Sequence, residues 1–272
     1  MAYHADSRGF WKHKSSTLVT RCADIVLRNL PLIDVTSLEY LPPDLQDLFL
    51  YKITYSESLL KVINFREIFP VLLNGSTKKI NLKKYSAACK LNDSSLEAME
   101  KCVNLKHLFF PDNTDFTAEG LKKLFVKLPN LQQLHLPSCE ALDDEVAQII
   151  AANCLQLRFI NVFASKITDI GLKELKNLDH LEYVSFSNTK VGHEGITALV
   201  EGNSGQNLIE LKIDNCPNVK VETLRRIVEC CPKLEILLFY NCDPSTSRHD
   251  MMSVLEDINM KNMKQLTWSV NW

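Results

Sequence analysis

Leucines recur along the chain in the pattern Leu-x-x-Leu-x-Leu, followed by a small polar residue or a cysteine. The clearest copy contains Leu131, Leu134, Leu136 and Cys139. Copies spaced 24–27 residues apart begin at Leu105, Leu131, Leu157, Leu181, Leu208 and Leu234. A weaker first copy begins at Thr77 and a partial last copy at Met263. Such a regular spacing indicates a repeat protein.

Each copy combines two hydrophobic periods. Its second and third leucines are two residues apart, which places them on one face of a short strand. The period then becomes helical, as at Leu224, Ile227 and Val228. Stacked copies bury a continuous core and align their strands in a parallel sheet. The predicted fold class is therefore α/β, a leucine-rich-repeat solenoid (horseshoe) with a parallel concave sheet, convex helices and an N-terminal helical cap.

Small residues and cysteines occupy two further rows of the repeat. Three residues after the third apolar position lie Asn113, Cys139, Ser165, Thr189, Cys216 and Cys242. Buried turn amides need partners, so we expect these side chains to satisfy them. A second row, just before the next copy, contains Cys102, Cys154 and Cys231. The rows account for six of the nine cysteines, which favours structural roles over a metal site.

Composition narrows the functional classes. A net charge of −2 argues against charge-driven nucleic-acid binding. No apolar run reaches the roughly 18 residues of a membrane helix, and the polar segment Met1–Lys14 lacks a signal-peptide core. With reduced thiols expected, we predict a cytoplasmic or nuclear protein without a membrane or nucleic-acid partner.

Residues 1–75 do not follow the repeat of residues 76–272, and they read as helices. The first helix is predicted over residues 16–30, and the second begins at Pro42 and Pro43. A third helical stretch is predicted over residues 58–73, interrupted near Pro70. An open solenoid needs its first apolar face covered, so a helical cap is the simplest interpretation.

Two motifs in this segment suggest a docking function. The first resembles the box that binds elongin C and consists of Thr17, Leu18, Cys22 and Val26. The second resembles the cullin box and consists of Leu41, Pro42, Leu45 and Phe49. Together they predict elongin B–C and a cullin as partners. The second motif also resembles the opening of an F-box, which leaves the F-box adaptor as an alternative, although the tryptophan-containing end of an F-box is not found after Phe49.

The repeat period with recurrent cysteines resembles the cysteine-containing class of leucine-rich repeats. More narrowly, the chain resembles the antagonist-of-mitotic-exit-network family. The residues that carry this likeness are the repeat array, Leu41–Leu45, Ile236–Cys242 and Leu266–Val270. The resemblance implies action by protein binding, in the setting of ubiquitin ligases.

The third, fifth and seventh positions of each copy are expected to point out of the sheet, and we call the surface they form the concave face. Its aromatic, histidine and aliphatic residues are His107, Phe109, His135, Phe159, Phe163, Tyr183, Ile236, Leu238 and Tyr240. Exposed aromatic clusters mark interaction sites, so this face is predicted to bind a protein substrate. The alternative is that the ends of the chain cover it, especially near Ile236 and Leu238.

Catalytic motifs are not found in the sequence. His107 and His135 fall on adjacent copies, but no carboxylate or thiolate is expected to converge on them. We therefore predict a non-enzymatic protein with no cofactor and no metal. The predicted function is the substrate-recognition subunit of a cullin–RING ubiquitin ligase, and an interaction scaffold without a ligase role is the alternative.

Overall fold

The computed structural model describes residues 17–85, 91–112, 114–242 and 264–267. The predictions that concern Met1–Lys14, Asn113 and Met263 lie outside these residues. The chain divides into two compact units, of which the first ends at Leu72 and the second begins at Leu73.

The first unit is helical. Its α-helices are α1 (Leu18–Arg28), α2 (Pro43–Thr54), α3 (Glu57–Val62) and α4 (Phe65–Leu72), with 3-10 segments at Leu30–Leu32 and Val35–Tyr40. The side chain of Thr17 accepts a hydrogen bond from the backbone N–H of Thr20 and caps α1. Helix α2 begins at Pro43. A proline costs little in the first turn of a helix, because its missing backbone N–H has no partner there. The helices predicted here are thus present.

The predicted interruption at Pro70 is wrong. Helices α3 and α4 separate at Ile63 and Asn64, and Pro70 lies within α4. Asn64 explains the break, because its carbonyl oxygen accepts from the N–H groups of Glu67 and Ile68, and its side chain donates to Glu67 at 2.6 Å. A new helix start at Asn64 therefore replaces the expected break at the proline.

The second unit alternates strands and helices. Its strands are β1 (Lys79–Asn81), β2 (His107–Phe109), β3 (Gln133–His135), β4 (Phe159–Asn161), β5 (Tyr183–Ser185), β6 (Glu210–Lys212), β7 (Ile236–Leu238) and β8 (Gln265–Thr267). Its α-helices are α5 (Asp93–Met99), α6 (Ala118–Val126), α7 (Asp144–Asn153), α8 (Asp169–Glu174), α9 (His193–Glu201) and α10 (Val221–Cys230). Two 3-10 segments, Leu175–Asn177 and Asn203–Asn207, follow α8 and α9.

The strands form one parallel sheet in chain order, from β1 to β8. The middle residues of the first seven strands are at most 2% exposed: Ile80, Leu108, Leu134, Ile160, Val184, Leu211 and Leu237. Buried helix residues such as Leu124 and Ile150 complete the core. The predicted leucine-rich-repeat fold class is confirmed. Among the described residues, no helix has the length and apolar character needed to span a membrane.

A left-handed residue ends the turn after five of the strands. These residues are Ser138, Ala164, Asn188, Asn215 and Asn241, with φ between 52° and 59°. Asparagine tolerates this conformation better than other residues with a side chain, which accounts for its presence in three of the five turns. Each left-handed residue directly precedes the small residue or cysteine of the repeat.

The small residues and cysteines of this row make hydrogen bonds both to backbone carbonyl groups and with backbone N–H groups. The hydroxyl of Thr189 donates to the carbonyl oxygen of Phe186 at 2.5 Å, and the thiol of Cys216 donates to the same oxygen at 3.3 Å. Burial raises the pKa of Cys139, while hydrogen bonds with Thr114, Ala141 and Leu142 oppose that rise. The prediction that these side chains satisfy turn amides is therefore incomplete, because they also donate to strand carbonyl groups.

The second cysteine row is buried deeply. The thiol of Cys154 lies 3.6 Å from the carbonyl oxygen of Leu128, in the preceding repeat. Burial raises the pKa of Cys154 to about 12 and that of Cys231 to about 12. Both thiols are therefore protonated at neutral pH, which is the state of a packed side chain and not of a metal ligand. Within the described ranges, no group of three or more His, Cys, Asp or Glu side chains is placed to hold a metal ion.

Candidate protein-binding surfaces

Helix α1 presents an apolar surface to solvent. Leu18 is 78% exposed, Ile25 is 61% exposed, and Cys22 is exposed between them. These residues are four and three apart, so they form one stripe along the helix, which we call the α1 stripe (Leu18, Cys22, Ile25). Exposed apolar side chains contribute little to folding, and a contiguous row of them indicates a contact surface.

The opposite side of α1 holds the helix in its unit. Ala23 and Leu27 are buried, at 3% and 2% exposure. Nζ of Lys52 in α2 lies 2.5 Å from Oδ1 of Asp24, which adds an ion pair between the two helices. Because packing uses this side, the α1 stripe does not contribute to the hydrophobic core of its unit.

The structure places the four residues of the first motif in different surroundings. Leu18 and Cys22 reach the surface, whereas Val26 is half-buried. Thr17 is the N-cap of α1, so its hydroxyl has a structural role. The motif thus supplies two surface side chains, and Ile25 extends the same stripe by one turn.

The second motif is only partly accessible, and one of its residues belongs to the core. Pro42 is exposed, Leu41 and Leu45 are half-buried, and Phe49 is only 4% exposed. The side chain of Phe49 is therefore not available for a surface contact, and its assignment as an adaptor-binding residue is corrected to a core role. Its burial follows from the face of α2 that packs inward, which also buries Leu50 and Ile53.

Sequence reasoning missed two exposed side chains in this unit. Leu32 is 85% exposed and Tyr40 is 88% exposed, each in a 3-10 segment between α1 and α2. No helical or strand period continues through these segments, so the pattern of apolar residues gave no signal of their exposure.

The concave face has the predicted register. One row of paired residues crosses the strands from His107 through Gln133, Phe159, Tyr183 and Glu210 to Ile236, each residue pairing with the next. A second row runs in the same way from Phe109 through His135, Asn161, Ser185 and Lys212 to Leu238. Of the nine predicted face residues, Tyr240 is 46% exposed and the other eight are half-buried. Their rings and chains are partly accessible along the whole sheet.

An open depression lies at the carboxyl ends of the central strands. Its lining residues are Asp112, His135, Pro137, Asn161, Phe163, Ser185, Ser187, Lys212, Asp214 and Asn215. Asp214 is held by the hydroxyl of Ser187 at 3.2 Å and by the backbone N–H of Tyr240 at 2.8 Å. The depression is thus lined by both the apolar ring of Phe163 and the carboxylate of Asp214, which these hydrogen bonds hold in place. A lining of apolar and polar groups suits a polypeptide ligand.

The two histidines of the concave face are neutral at physiological pH. Burial, and then the positive charge of Lys83, lower the pKa of His135 to about 4. Burial also lowers the pKa of His107, followed by the charge of Lys79. The Nδ1 atoms of both rings are buried and have no hydrogen-bond partner among the residues that the structure describes.

Two lysines on β1 and just after it were missed. Applying the register to the weak first copy puts Lys79, Asn81 and Lys83 on the concave face, since Lys79 pairs with His107 and Asn81 with Phe109. Nζ of Lys83 lies 4.8 Å from the centroid of the Phe109 ring, and Nζ of Lys79 lies 5.9 Å from it. The signal was present in the sequence, because the register of the other copies extends to this one.

Comparisons with known proteins find relatives of low sequence identity. No protein-family profile matches the chain. It is similar to antagonist of mitotic exit network protein 1 of Saccharomyces cerevisiae, with 28% identity over 53% of this chain and 28% of the relative. The protein of the same name from Eremothecium gossypii is 26% identical over 50% of this chain and 36% of the relative. These relatives confirm the predicted resemblance to the antagonist-of-mitotic-exit-network family.

A further relative covers more of the chain. DNA repair protein rhp7 of Schizosaccharomyces pombe is 25% identical over 84% of this chain and 35% of the relative. The chain thus spans about a third of the length of the curated relatives it matches.

A solved structure shares the fold. The crystal structure of the Rad7 and Elc1 complex in yeast contains a chain that matches with a TM-score of 0.52 and 17% identity. The match covers 94% of this chain and 60% of that one. It supports the repeat solenoid, as the sheet and helices described above do.

Proposed function

We propose that this chain, a leucine-rich-repeat protein similar to the antagonist-of-mitotic-exit-network family, is the substrate-recognition subunit of a cullin–RING ubiquitin ligase. Its first unit would bind an adaptor of the elongin B–C type, and its concave face would bind a protein substrate. We expect it to act in the cytoplasm or the nucleus.

The observation that carries the proposal is the exposed α1 stripe. A leucine at 78% exposure and an exposed cysteine four residues later stand on a capped helix that is anchored by its other face. An amphipathic helix that offers such a row to a groove is a recurring mode of peptide recognition. The crystal structure that pairs Rad7 with Elc1 contains a chain of the same fold, which supports an adaptor-type partner.

The second motif contributes less surface. Pro42 is exposed, but Leu41 and Leu45 are only partly accessible and Phe49 is buried. The cullin contact is therefore assigned to Pro42 and the accessible parts of Leu41 and Leu45 alone.

Positioning is the whole of the mechanism. A receptor that holds an adaptor on one surface and a substrate on another makes their encounter intramolecular. The effective concentration of a tethered partner reaches roughly millimolar, so the receptor needs no catalytic group of its own.

The test is a pull-down of the purified chain with elongin B–C, with Elc1 and with the F-box adaptor. The Leu18→Ser/Cys22→Asp variant should lose elongin B–C or Elc1 and keep its circular dichroism spectrum and melting temperature. The matched control is Ile170→Ser, which also removes an exposed aliphatic side chain, 68% exposed, but from helix α8 of the repeat array.

Each outcome assigns a function. Capture by elongin B–C or Elc1 that the double variant loses and the control keeps supports the proposal. Capture by the F-box adaptor alone would assign the chain to the F-box type of ubiquitin ligase. Binding to none of the three refutes a ligase role and leaves an interaction scaffold.

A further inference from the structure

The first strand of the sheet brings positive charge to the concave face. Lys79 and Lys83 both approach the ring of Phe109, at 5.9 and 4.8 Å from its centroid. Burial lowers the pKa of Lys83, and repulsion from Lys79 adds to that effect. Within the described part of the chain, no carboxylate forms an ion pair with Lys83. An incoming anion near Lys83 would offset this repulsion between the two lysines.

The middle of the concave face is aromatic and uncharged. His107 and His135 carry no charge at neutral pH, because burial and the neighbouring lysines lower their pKa values. Beyond them, Phe159 and Tyr183 face outward side by side on adjacent strands. This stretch offers ring surface to apolar or aromatic side chains and no charged group to pair with an anion.

The far side of the face is net negative. Glu210 and Lys212 on β6 pair with one another, at 2.5 Å between Oε1 and Nζ. Asp214 follows, and within the described residues its carboxylate accepts hydrogen bonds from the hydroxyl of Ser187 and the backbone N–H of Tyr240, neither of which is a cation. Five strand spacings of about 4.8 Å separate β1 from β6, so the two charged ends are roughly 24 Å apart.

We propose that the concave face binds an acidic segment of a protein partner in one orientation, with its carboxylates over Lys79 and Lys83 and its apolar side chains over Phe159 and Tyr183. This rests on the proposed function for the assignment of the concave face to substrate. It adds the chemical class of the substrate segment and the direction in which it lies.

Charge complementarity favours a peptide over a nucleic acid. A polyanion carries one phosphate at every step and would need a basic track across the face. Here the net positive charge lies at one end of the face, on Lys79 and Lys83, because Lys212 at the other end is paired with Glu210. Asp214, also at that other end, would repel a continuous backbone of phosphates. A peptide with acidic residues at one end meets Lys79 and Lys83 favourably, and aromatic or aliphatic residues at its other end meet the uncharged middle of the face.

The experiment is a selection of displayed random dodecapeptides on three purified full-length proteins. They are the wild type, the Lys79→Glu/Lys83→Glu variant and the control variant Lys127→Glu/Lys176→Glu, which reverses two exposed lysines of the helix layer. The wild type and the control should select peptides with Asp or Glu at one end and aromatic or aliphatic residues at the other. The reversed variant should bind the same synthetic peptides at least about tenfold more weakly and should select Lys or Arg instead.

Three results would overturn the inference: no peptide selected by the wild type, selected peptides without acidic enrichment, or unchanged affinity after charge reversal. The adaptor pull-down is repeated with the same proteins, because Lys79→Glu/Lys83→Glu should leave adaptor capture intact. Acid-selective peptide binding without any adaptor capture would refute the ligase proposal and keep this inference for a scaffold.

Discussion

The carboxylate of Asp144, at the start of helix α7, accepts hydrogen bonds from the backbone N–H and the hydroxyl of Thr168, at 2.8 and 2.7 Å. Thr168 is the N-cap of the helix in the next repeat, and the N–H of Gly171 adds a third bond at 3.0 Å. Asp93 bonds to Thr117 in the same way. One repeat therefore satisfies the unpaired amides that begin the helix of the next, and this joins the helix layer.

Replacing Asp144 by alanine should lower the free energy of unfolding by about 1–3 kcal/mol, because partly buried amides lose their acceptor. Urea denaturation of the wild type and the variant measures the loss. Glu145→Ala is the control, since Glu145 lies in the same turn and is exposed, and its bond to Lys122 is a surface ion pair, which contributes little to stability. Equal losses in the two variants would contradict the structural role of Asp144.

Ala164 and Ser138 are the two left-handed turn residues among those described that are not asparagine, and Ala164 has no polar side chain to favour this backbone. It has a φ of 54°, whereas the equivalent positions Asn188, Asn215 and Asn241 hold asparagine. Ala164→Asn should therefore stabilise the protein by about 0.5–1 kcal/mol, since asparagine visits this region at lower cost. Thermal melts of Ala164→Asn and of the reverse change, Asn188→Ala, should shift in opposite directions. Shifts of the same sign would refute this explanation.

The repeat array could be predicted from the sequence because its signals are periodic and local. Leu134 and Leu136 fix the face of a strand, and the interval to Leu157 fixes the register of the next. Each parallel pairing then follows without further information, and so does the concave position of Phe109, His135 and Tyr183.

Other features depend on tertiary contacts that no period encodes. The burial of Phe49 and the exposure of Leu18 are set by which side of each helix packs in the first unit. The hydrogen bonds that Thr168 donates to Asp144 span 24 residues, so no local sequence pattern predicts them. The proximity of Lys83 to Phe109 was hidden for another reason, because the first copy of the repeat is weak.

The neutral ring of His135 should make stability depend on pH. Its pKa is lowered to about 4 in the fold, against about 6.5 in the unfolded chain, so the unfolded chain binds the proton first as pH falls. The contribution of the neutral ring is therefore complete above pH 6.5 and is lost between pH 6.5 and about 4.

We expect this loss to reach about 2 kcal/mol, less than the full shift implies, because the ring is partly solvated. Denaturation curves from pH 7.5 to 4 measure it, and His135→Gln should flatten the fall over this window. Parallel pH profiles for the wild type and His135→Gln would count against a neutral, buried ring. The double variant with His107→Gln should be flatter again, since burial lowers the pKa of His107 as well.

Substitution of Phe159 and Phe163 tests whether these rings of the concave face bind a ligand or stabilise the fold. Both rings are half-buried, whereas Phe186 in the neighbouring strand region is fully buried. Phe186→Ala should cost about 3–5 kcal/mol of stability, as is usual for a core phenylalanine. Phe159→Ala/Phe163→Ala should cost less than half of that and should abolish capture of the peptides selected by the wild type, because interface anchors are lost. Stability is measured by denaturation and peptide binding by fluorescence anisotropy, on the same preparations. A stability loss as large as that of Phe186→Ala would show that the two rings are needed for packing. Retained peptide binding would show that they are not part of the recognition surface.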